Sequence, residues 1–483
     1  PLYIYQSKNF IAFSSEVKSF LNCPLFEKKI SKNGVQCFFA YGYIPEPYSI
    51  IENVQKVRAG HIYEIDLSNL KVETHKYWDV KDLYNRKKID LDLNEILEQT
   101  ETLLQSACNY RMVSDVPVGI FLSGGYDSVA VTSLIQKNSE KKLKTFTVGF
   151  ENSTFDESSY AKEISKYLGT DHYQIEFNSY VAKELFDDMF SYYDEPFGDM
   201  SALPTMLVSK LAREHVKVSL SADGGDEVFG GYVKYNNIIE RQKKLEILPK
   251  FLRQLISKFG VDIIWKVQDK IPSSDFSRIE RFLKNMNSSN GELLQNSSRI
   301  FTDLDLKRLL KYHPEKVPTS NFNTVKQLNI LDELMCLDYK TYQQDNILVK
   351  VDRATMHSSL EGREPLLDYR LVDFLSQIQP KKKLHLNVNK YLLKSIVHKY
   401  VPKNLLDRPK KGFSFPLSNF LNHEFKGYVD YYLDDKKIES LEFIDADYVR
   451  LLKNEFFQGN QLYTKKIWLL LIYSMWYEKW ISK

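Results

Sequence analysis

The chain has little cysteine. Its 483 residues hold only Cys23, Cys37, Cys108 and Cys336. No two are spaced as Cys-x-x-Cys, which excludes a zinc ribbon or a thioredoxin-type redox site. Cysteine this sparse suits a reducing cytoplasm, where the protein is expected to act. An excess of either charge is also missing. Lys and Arg total 66 against 63 Asp and Glu, a net +3, so composition gives no reason to expect a nucleic-acid partner. There is no long apolar run. The stretch from Ile467 to Trp476 is broken by Tyr473 and Ser474 and falls well short of the roughly 20 residues a bilayer span takes. It reads as a buried C-terminal helix, with no membrane partner and no signal peptide expected. The nine histidines show no metal-ligand spacing.

What the chain does have is a glycine turn dense in functional groups, Ser123-Gly124-Gly125-Tyr126-Asp127-Ser128. It follows the apolar, strand-like Gly119-Ile120-Phe121-Leu122 and precedes a helical pattern. A strand–turn–helix junction leaves backbone N–H groups aimed at an anion, and the helix dipole favours negative charge there. Glycine lets the backbone approach phosphate oxygens, and Ser123 and Ser128 add hydroxyl donors. Neither Gly-x-x-x-x-Gly-Lys-Ser/Thr nor Gly-x-Gly-x-x-Gly occurs, which excludes a Walker loop and a Rossmann fingerprint. A second acid-bearing turn, Ser221-Ala222-Asp223-Gly224-Gly225-Asp226-Glu227, follows another apolar run, Val216 to Leu220.

Residues 1–78 read as short strands and turns, with a hairpin from Tyr3–Tyr5 to Phe10–Phe13, an apolar, aromatic stretch from Gly34 to Tyr43 and strands at Val54–Val57 and His61–Leu67. They have too few elements to close a large core alone. Residues 79–92 are polar and read as a linker. Leu93 to Met112 carries a helical stripe. Strands and helices then alternate to Leu220, the pattern of a parallel sheet with helices on both faces, whose ligands sit beyond the carboxyl ends of the strands. From about 232 onward the chain reads as mostly helical, with a helical insertion at about 236–330.

Ser123 to Ser128 resembles the pyrophosphate-binding loop of the N-type ATP pyrophosphatases. More narrowly, six ordered segments resemble the glutamine-hydrolysing asparagine synthetases: Ser114–Ser128, Asp194-Glu195-Pro196-Phe197, Leu220–Tyr232, Lys350–Met356, Leu360–Asp368 and Arg408–Phe413. The resemblance implies an adenine nucleotide alpha hydrolase-like (PP-loop) α/β domain over 93–483. It implies that ATP is cleaved between its α- and β-phosphates, that aspartate becomes β-aspartyl-AMP, and that ammonia displaces AMP. Ser123, Gly124, Gly125 and Ser128 would hold pyrophosphate. Asp127 and Asp226 would hold Mg²⁺, and Leu122 and Val148 would contact adenine. Ser221, Ala222 and Gly224 would lie beside the nucleotide. Asp223, where many members carry Glu, would serve intermediate formation. Lys410 would stabilise phosphate charge, and Glu361 and Arg363 would line or brace the acyl site. The implied cofactors are ATP and Mg²⁺. The implied partners are small molecules (aspartate, ATP, ammonia or glutamine), with a homodimer allowed.

Tyr126, Val129 and Ala222 depart from the family's usual residues. Pro1–Tyr3, Phe13–Lys18 and Tyr41–Pro45 resemble the latter part of the family's Ntn-type α-β-β-α glutaminase domain, whose nucleophile is an N-terminal Cys. Here Pro stands first, so the sequence as written is expected to use ammonia and not glutamine. Residues 1–78 are also expected to present open strand edges. Two other readings keep part of this picture: an adenylating amidotransferase or lactam-forming cyclase acting on another acid, and a non-catalytic nucleotide-binding relative.

Overall fold

The computed structural model describes residues 1–151, 156–266, 273–314, 317, 328–385, 388–407 and 415–482. Among the described residues ten strands order the fold: β1 (Tyr3–Gln6), β2 (Ile11–Ser14), β3 (Val54–Lys56), β4 (His61–Asp66), β5 (Lys71–Lys76), β6 (Val118–Phe121), β7 (Lys144–Phe150), β8 (Asp171–Phe177), β9 (Val218–Leu220) and β10 (Glu361–Arg363). The last five form one parallel sheet in the order β10-β9-β6-β7-β8. The chain walks outward from β6 through β7 to β8, then returns to β9 on the other side of β6. That reversal makes the β6–β9 boundary the topological switch point of the sheet.

Helices cover both faces, as the alternation predicts. On one face, Ile120 and Leu122 pack with Val129, Val131 and Leu134 of helix Tyr126–Lys137 and with Leu104 of helix Leu93–Met112. On the other, Phe146, Val148 and Phe150 of β7 pack with Leu185 of helix Ser179–Tyr192 and Met206 of helix Ala202–His215. Helix Leu93–Met112 starts where the sequence places it because Asp92 accepts from the N–H groups of Asn94 and Glu95 while Glu95 accepts from the Asp92 N–H, a full capping box.

The first 78 residues make two small antiparallel units, a sheet β2-β1-β3 and the ribbon β4-β5. β2 and β3 are the outer strands of their sheet, and Phe13 of β2 is 72% exposed. The aromatic stretch forms helix Lys32–Tyr41, which buries Phe38 and Phe39 against Tyr473 of the C-terminal helix Thr464–Trp480. The short elements therefore share a core with the end of the chain. Glu195 ties them down, accepting from the Tyr3 hydroxyl at 2.8 Å, the Ser49 hydroxyl at 2.9 Å and the Ile50 N–H at 2.7 Å. Residues 79–92 connect the two parts through helix Val80–Tyr84, which is capped by Asp79 and buries Val80, Leu83 and Tyr84. Over the expected insertion the described residues include the helices Val233–Glu246, Lys250–Lys266, Ser273–Asn285, Asn290–Ser298 and Asp303–Leu309, and residues 267–272, 315–316 and 318–327 of it lie outside the described residues.

Candidate active site

The turns after β6 and β9 open side by side onto one cavity of about 510 Å³, within the usual range of a small-molecule site. Leu122 and Val148 form part of its apolar wall, and both are almost fully buried. The first turn is braced by its own hydroxyls. Ser123 Oγ lies 3.1 Å from Ser128 Oγ and accepts from the Gly125 N–H at 3.3 Å, and Ser128 Oγ donates to the Gly125 carbonyl at 3.1 Å. Gly125 starts helix Tyr126–Lys137 without a side-chain cap, so the helix presents its positive N-terminus to the cavity.

At one end of the cavity two carboxylates converge on an ammonium. Lys390 Nζ lies 2.7 Å from Asp127 Oδ1 and 2.7 Å from Asp226 Oδ1. Lys390 has φ 56° and ψ 33° and precedes helix Tyr391–Val397. Such a left-handed backbone costs a non-glycine residue about 1 kcal/mol or more, and here it accompanies two ion pairs. Glycines permit the convergence. A Cβ on Gly225 would meet Asp127 Oδ1 at 2.4 Å, and one on Gly231 would meet both Asp226 Oδ1 and Lys390 Cε at 2.0 Å. Burial alone lowers the Lys390 ammonium, but Asp127 and Asp226 outweigh it and hold it above the ordinary lysine range. The donor set suits a hard cation. Mg²⁺ is usually held by one or two carboxylates plus substrate phosphates, and the ammonium marks where a cation is stable. Among the described residues no group of three or more His, Cys, Asp or Glu could hold a metal, so the site relies on these two carboxylates.

Elsewhere in the cavity the acid Asp223 feels a cation only at longer range. Asp223 accepts a short hydrogen bond from the Ser221 hydroxyl, and burial pushes its carboxyl up against the pull of Lys350. Glu364 lies outside the cavity lining, where burial pushes its carboxyl up to about 7, with the charges of Asp223 and Asp352 adding to it and Arg111 opposing. Lys350 is buried and also lines the cavity. Its ammonium donates to the Ser201 hydroxyl at 2.9 Å and stands 3.7 Å from Asp199. It follows the π-helical turn Tyr339–Ile347, a form enriched at functional sites.

Leu122, Ser123, Gly124, Gly125, Asp127, Ser128, Val148, Ser221, Ala222, Asp223 and Asp226 all line the cavity. Three other expected residues are placed differently. Gly224 supplies the left-handed turn (φ 94°) and faces Leu367, not the cavity lining. The expectation that Glu361 and Arg363 line or brace the acyl side is not met in the lining. They lie in β10, with Glu361 in register with Val218 at the start of β9, so the register carries Glu361 away from the carboxyl edge. The Glu361 side chain is 57% exposed. Arg363 pairs with it at 2.6 Å and donates to the carbonyls of Arg111 and Val113 at 2.8 Å, closing the end of helix Leu93–Met112. Lys410 and its segment lie outside the described residues. The sequence reading missed Lys390 and gave no role to Lys350, although the segment Lys350–Met356 was singled out. No local motif marks Lys390. The departures are accommodated: Val129 is core, and the Tyr126 ring meets His398 edge-on, with its hydroxyl 3.2 Å from Nε2.

The chain resembles known proteins along almost its whole length. The family model described as Asparagine synthase matches residues 99–478, and that described as Glutamine amidotransferase domain matches residues 1–78. Asparagine synthetase (glutamine-hydrolyzing) 1 of Bacillus subtilis (strain 168) is 29% identical over 488 residues, covering 100% of this chain and 74% of that protein. A protein of Methanocaldococcus jannaschii named for the same enzyme is 36% identical over 369 residues, covering 74% of this chain and 67% of its own length. Amidase chry2 of Gibberella zeae is 24% identical over 487 residues, covering 92% and 70%.

Proposed function

The chain belongs to the asparagine synthase family, a ligase family, and on that premise we propose that it converts aspartate to asparagine through β-aspartyl-AMP, acting in the cytoplasm. The observation that carries this reading is the convergence of two acid-bearing turns on one cation at the β6–β9 switch point. A carboxylate is a poor electrophile because its leaving group would be oxide. Attack of the aspartate β-carboxylate oxygen on the α-phosphorus forms the acyl-phosphate bond and breaks the α–β bridge, releasing pyrophosphate. Ammonia then adds to the acyl carbon, and AMP leaves with the C–O electrons.

In this proposal the turn Ser123–Ser128 and the helix behind it bind the departing pyrophosphate. Leu122 and Val148 flank adenine, with Ser221 and Ala222 beside the nucleotide. Lys390 and Lys410 supply cationic charge, and Asp223 positions the acyl group. Asp127 and Asp226 would hold Mg²⁺. When bound, Mg²⁺ neutralises phosphate charge that builds as the bridge breaks. Asp127 and Asp226 would hold it in place of the Lys390 ammonium they now share. Residues 1–78 are assigned to the C-terminal part of a glutaminase domain and 93–483 to the adenylating domain. Nitrogen comes from ammonia in residues 1–483 alone, and from glutamine where a complete glutaminase domain supplies it.

The test is ATP–pyrophosphate exchange across carboxylic acids. Exchange with aspartate is expected. Exchange only with another acid would move the chain to a related amidotransferase or lactam-forming cyclase, and none with any acid to a non-catalytic relative. Release of glutamate from glutamine by residues 1–483 would overturn the nitrogen assignment.

A further inference from the structure

The 17-residue helix Lys250–Lys266 is turned inside out. Phe251, Leu255, Phe259 and Ile263 recur at every fourth position, with Leu252 and Ile256 beside them. At about 100° per residue these six fall within one arc of about 140°, which no charged residue interrupts from Phe251 to Phe259 and which by position takes in Asp262 and Lys266 only in the last turns. All six are exposed, from 36% at Leu252 to 62% at Ile263. The opposite arc is the one that packs. Ile264 is buried, and a Cβ on Gly260 would meet Leu283 of the next helix at 2.8 Å. Ile247, just before the helix, is 80% exposed and Phe282, on the next helix, is 54% exposed. Single exposed leucines are ordinary, whereas a continuous apolar face marks an interaction surface.

The same segment is cationic. Residues 243–266 hold six cations, Lys243, Lys244, Lys250, Arg253, Lys258 and Lys266, against Glu246 and Asp262. That excess of four is larger than the +3 of the whole chain, so the rest of the protein is slightly acidic. Lys250, Lys258 and Lys266 stand exposed on the helix that carries the apolar arc.

We propose that this face docks on an anionic lipid surface. The helix lies in the plane of the membrane, its apolar arc among the upper acyl chains and its lysines at the level of the headgroups. A cationic helix with an aromatic and aliphatic face is what such a surface binds, and lysine stems can reach past apolar neighbours to the headgroups. Among the described residues no helix is long and apolar enough to cross a membrane, so the binding is peripheral. A second copy of the chain is a poorer occupant. A twofold interface sets a patch against itself, and this patch would oppose its own positive charge.

The full-length protein, with any residues that precede Pro1, is sedimented with vesicles of phosphatidylcholine alone and of phosphatidylcholine mixed with phosphatidylglycerol. At low salt, retention on the anionic vesicles is expected to exceed that on neutral ones by about tenfold and to fall as salt rises. Leu255→Asp with Phe259→Asp should abolish retention. Lys250→Glu with Lys258→Glu should abolish the preference for anionic vesicles. Both variants change exposed positions outside the cavity, so thermal stability and ATP–pyrophosphate exchange should be unchanged. The proposal is overturned if the parent does not bind anionic vesicles, or if either variant binds them as the parent does. It is also overturned if the parent is a dimer that Leu255→Asp with Phe259→Asp converts to monomer without any vesicle binding.

Discussion

The two ends of the cavity are built from the same residue types and behave oppositely. At the cation end, Asp127 and Asp226 share the Lys390 ammonium at hydrogen-bonding distance. At the acid end, burial pushes the carboxyl of Asp223 up against the more distant pull of Lys350, and behind it, outside the lining, burial and the charge of Asp223 push Glu364 up. A carboxylate's behaviour is set here by whether a loop can bring a cation against it, and glycine decides that. Gly225 and Gly231 leave room for the Asp127–Lys390–Asp226 contact, which makes that end ready to exchange its ammonium for another cation carried in with phosphate.

The strongest way to break this contrast is to remove one carboxylate of the cation end. Asp127→Asn or Asp226→Asn is expected to lower ATP–pyrophosphate exchange by about 10²–10³-fold, the usual cost of losing one electrostatic contact made to developing charge. Exchange within tenfold of the parent would mean that the two turns do not share one cation in the reaction.

A second test acts on stability. Lys390→Met leaves two largely buried carboxylates facing each other, and breaking such a cluster costs about 3 kcal/mol. The variant should melt well below the parent without metal. Mg²⁺ alone should recover much of the loss in the variant while barely shifting the parent, whose carboxylates are already occupied. Equal Mg²⁺ responses in the two proteins would show that the ammonium and the metal do not compete.

The cation end was half legible in the sequence. Both turns announce themselves because their glycines, hydroxyls and acids are contiguous and follow apolar runs that can only be buried strands. Lys390 was not legible. It is one of 66 basic residues, it arrives from more than 160 residues beyond Asp226, and its aim depends on a left-handed backbone that no residue type signals. β10 was missed for a different reason. Glu361-Gly362-Arg363 is too short and too polar to show a strand period, so it read as chemistry, although in the fold Arg363 closes a helix end. Glu364, one residue beyond that strand, was passed over in favour of Glu361. Sequence spacing could not say which of the two acids turns inward. The helix Lys32–Tyr41 is buried nearly all round, so it lacks the one-sided periodicity that would have revealed it.

The acid end is sharpened by pH. A carboxyl raised by folding binds its proton more tightly in the native state than in the unfolded one, so its contribution to stability falls as pH rises between the two values. For Glu364 that window runs from the ordinary glutamate range to about 7. Glu364→Gln, which keeps the shape and removes the charge, should be more stable than the parent above pH 7 and close to it at pH 5. Melting curves across that range measure the difference, and a variant that loses stability at every pH would show that Glu364 is held charged by a cation.

Glu227 tests how far the cation's influence reaches, and it carries the smallest expected effect. It stands next to Asp226 in sequence, yet burial, with the charge of Asp226 second, pushes its carboxyl up to about 8, against a hydrogen bond from the Tyr232 hydroxyl at 2.6 Å. The single charge of Lys390 is already divided between two carboxylates, so a third acid behind them is stable only as the neutral group. At pH 7 Glu227 therefore resembles its own amide, and Glu227→Gln should leave exchange within about twofold of the parent. The stability difference should open between the ordinary glutamate range and about pH 8, where the unfolded parent is ionised while its folded form still holds the proton, and should stay constant above that. A melting temperature that changes equally in both proteins from pH 5 to pH 8 would place the charge of Glu227 within reach of a cation, and the cation end would then extend one residue deeper than its ion pairs indicate.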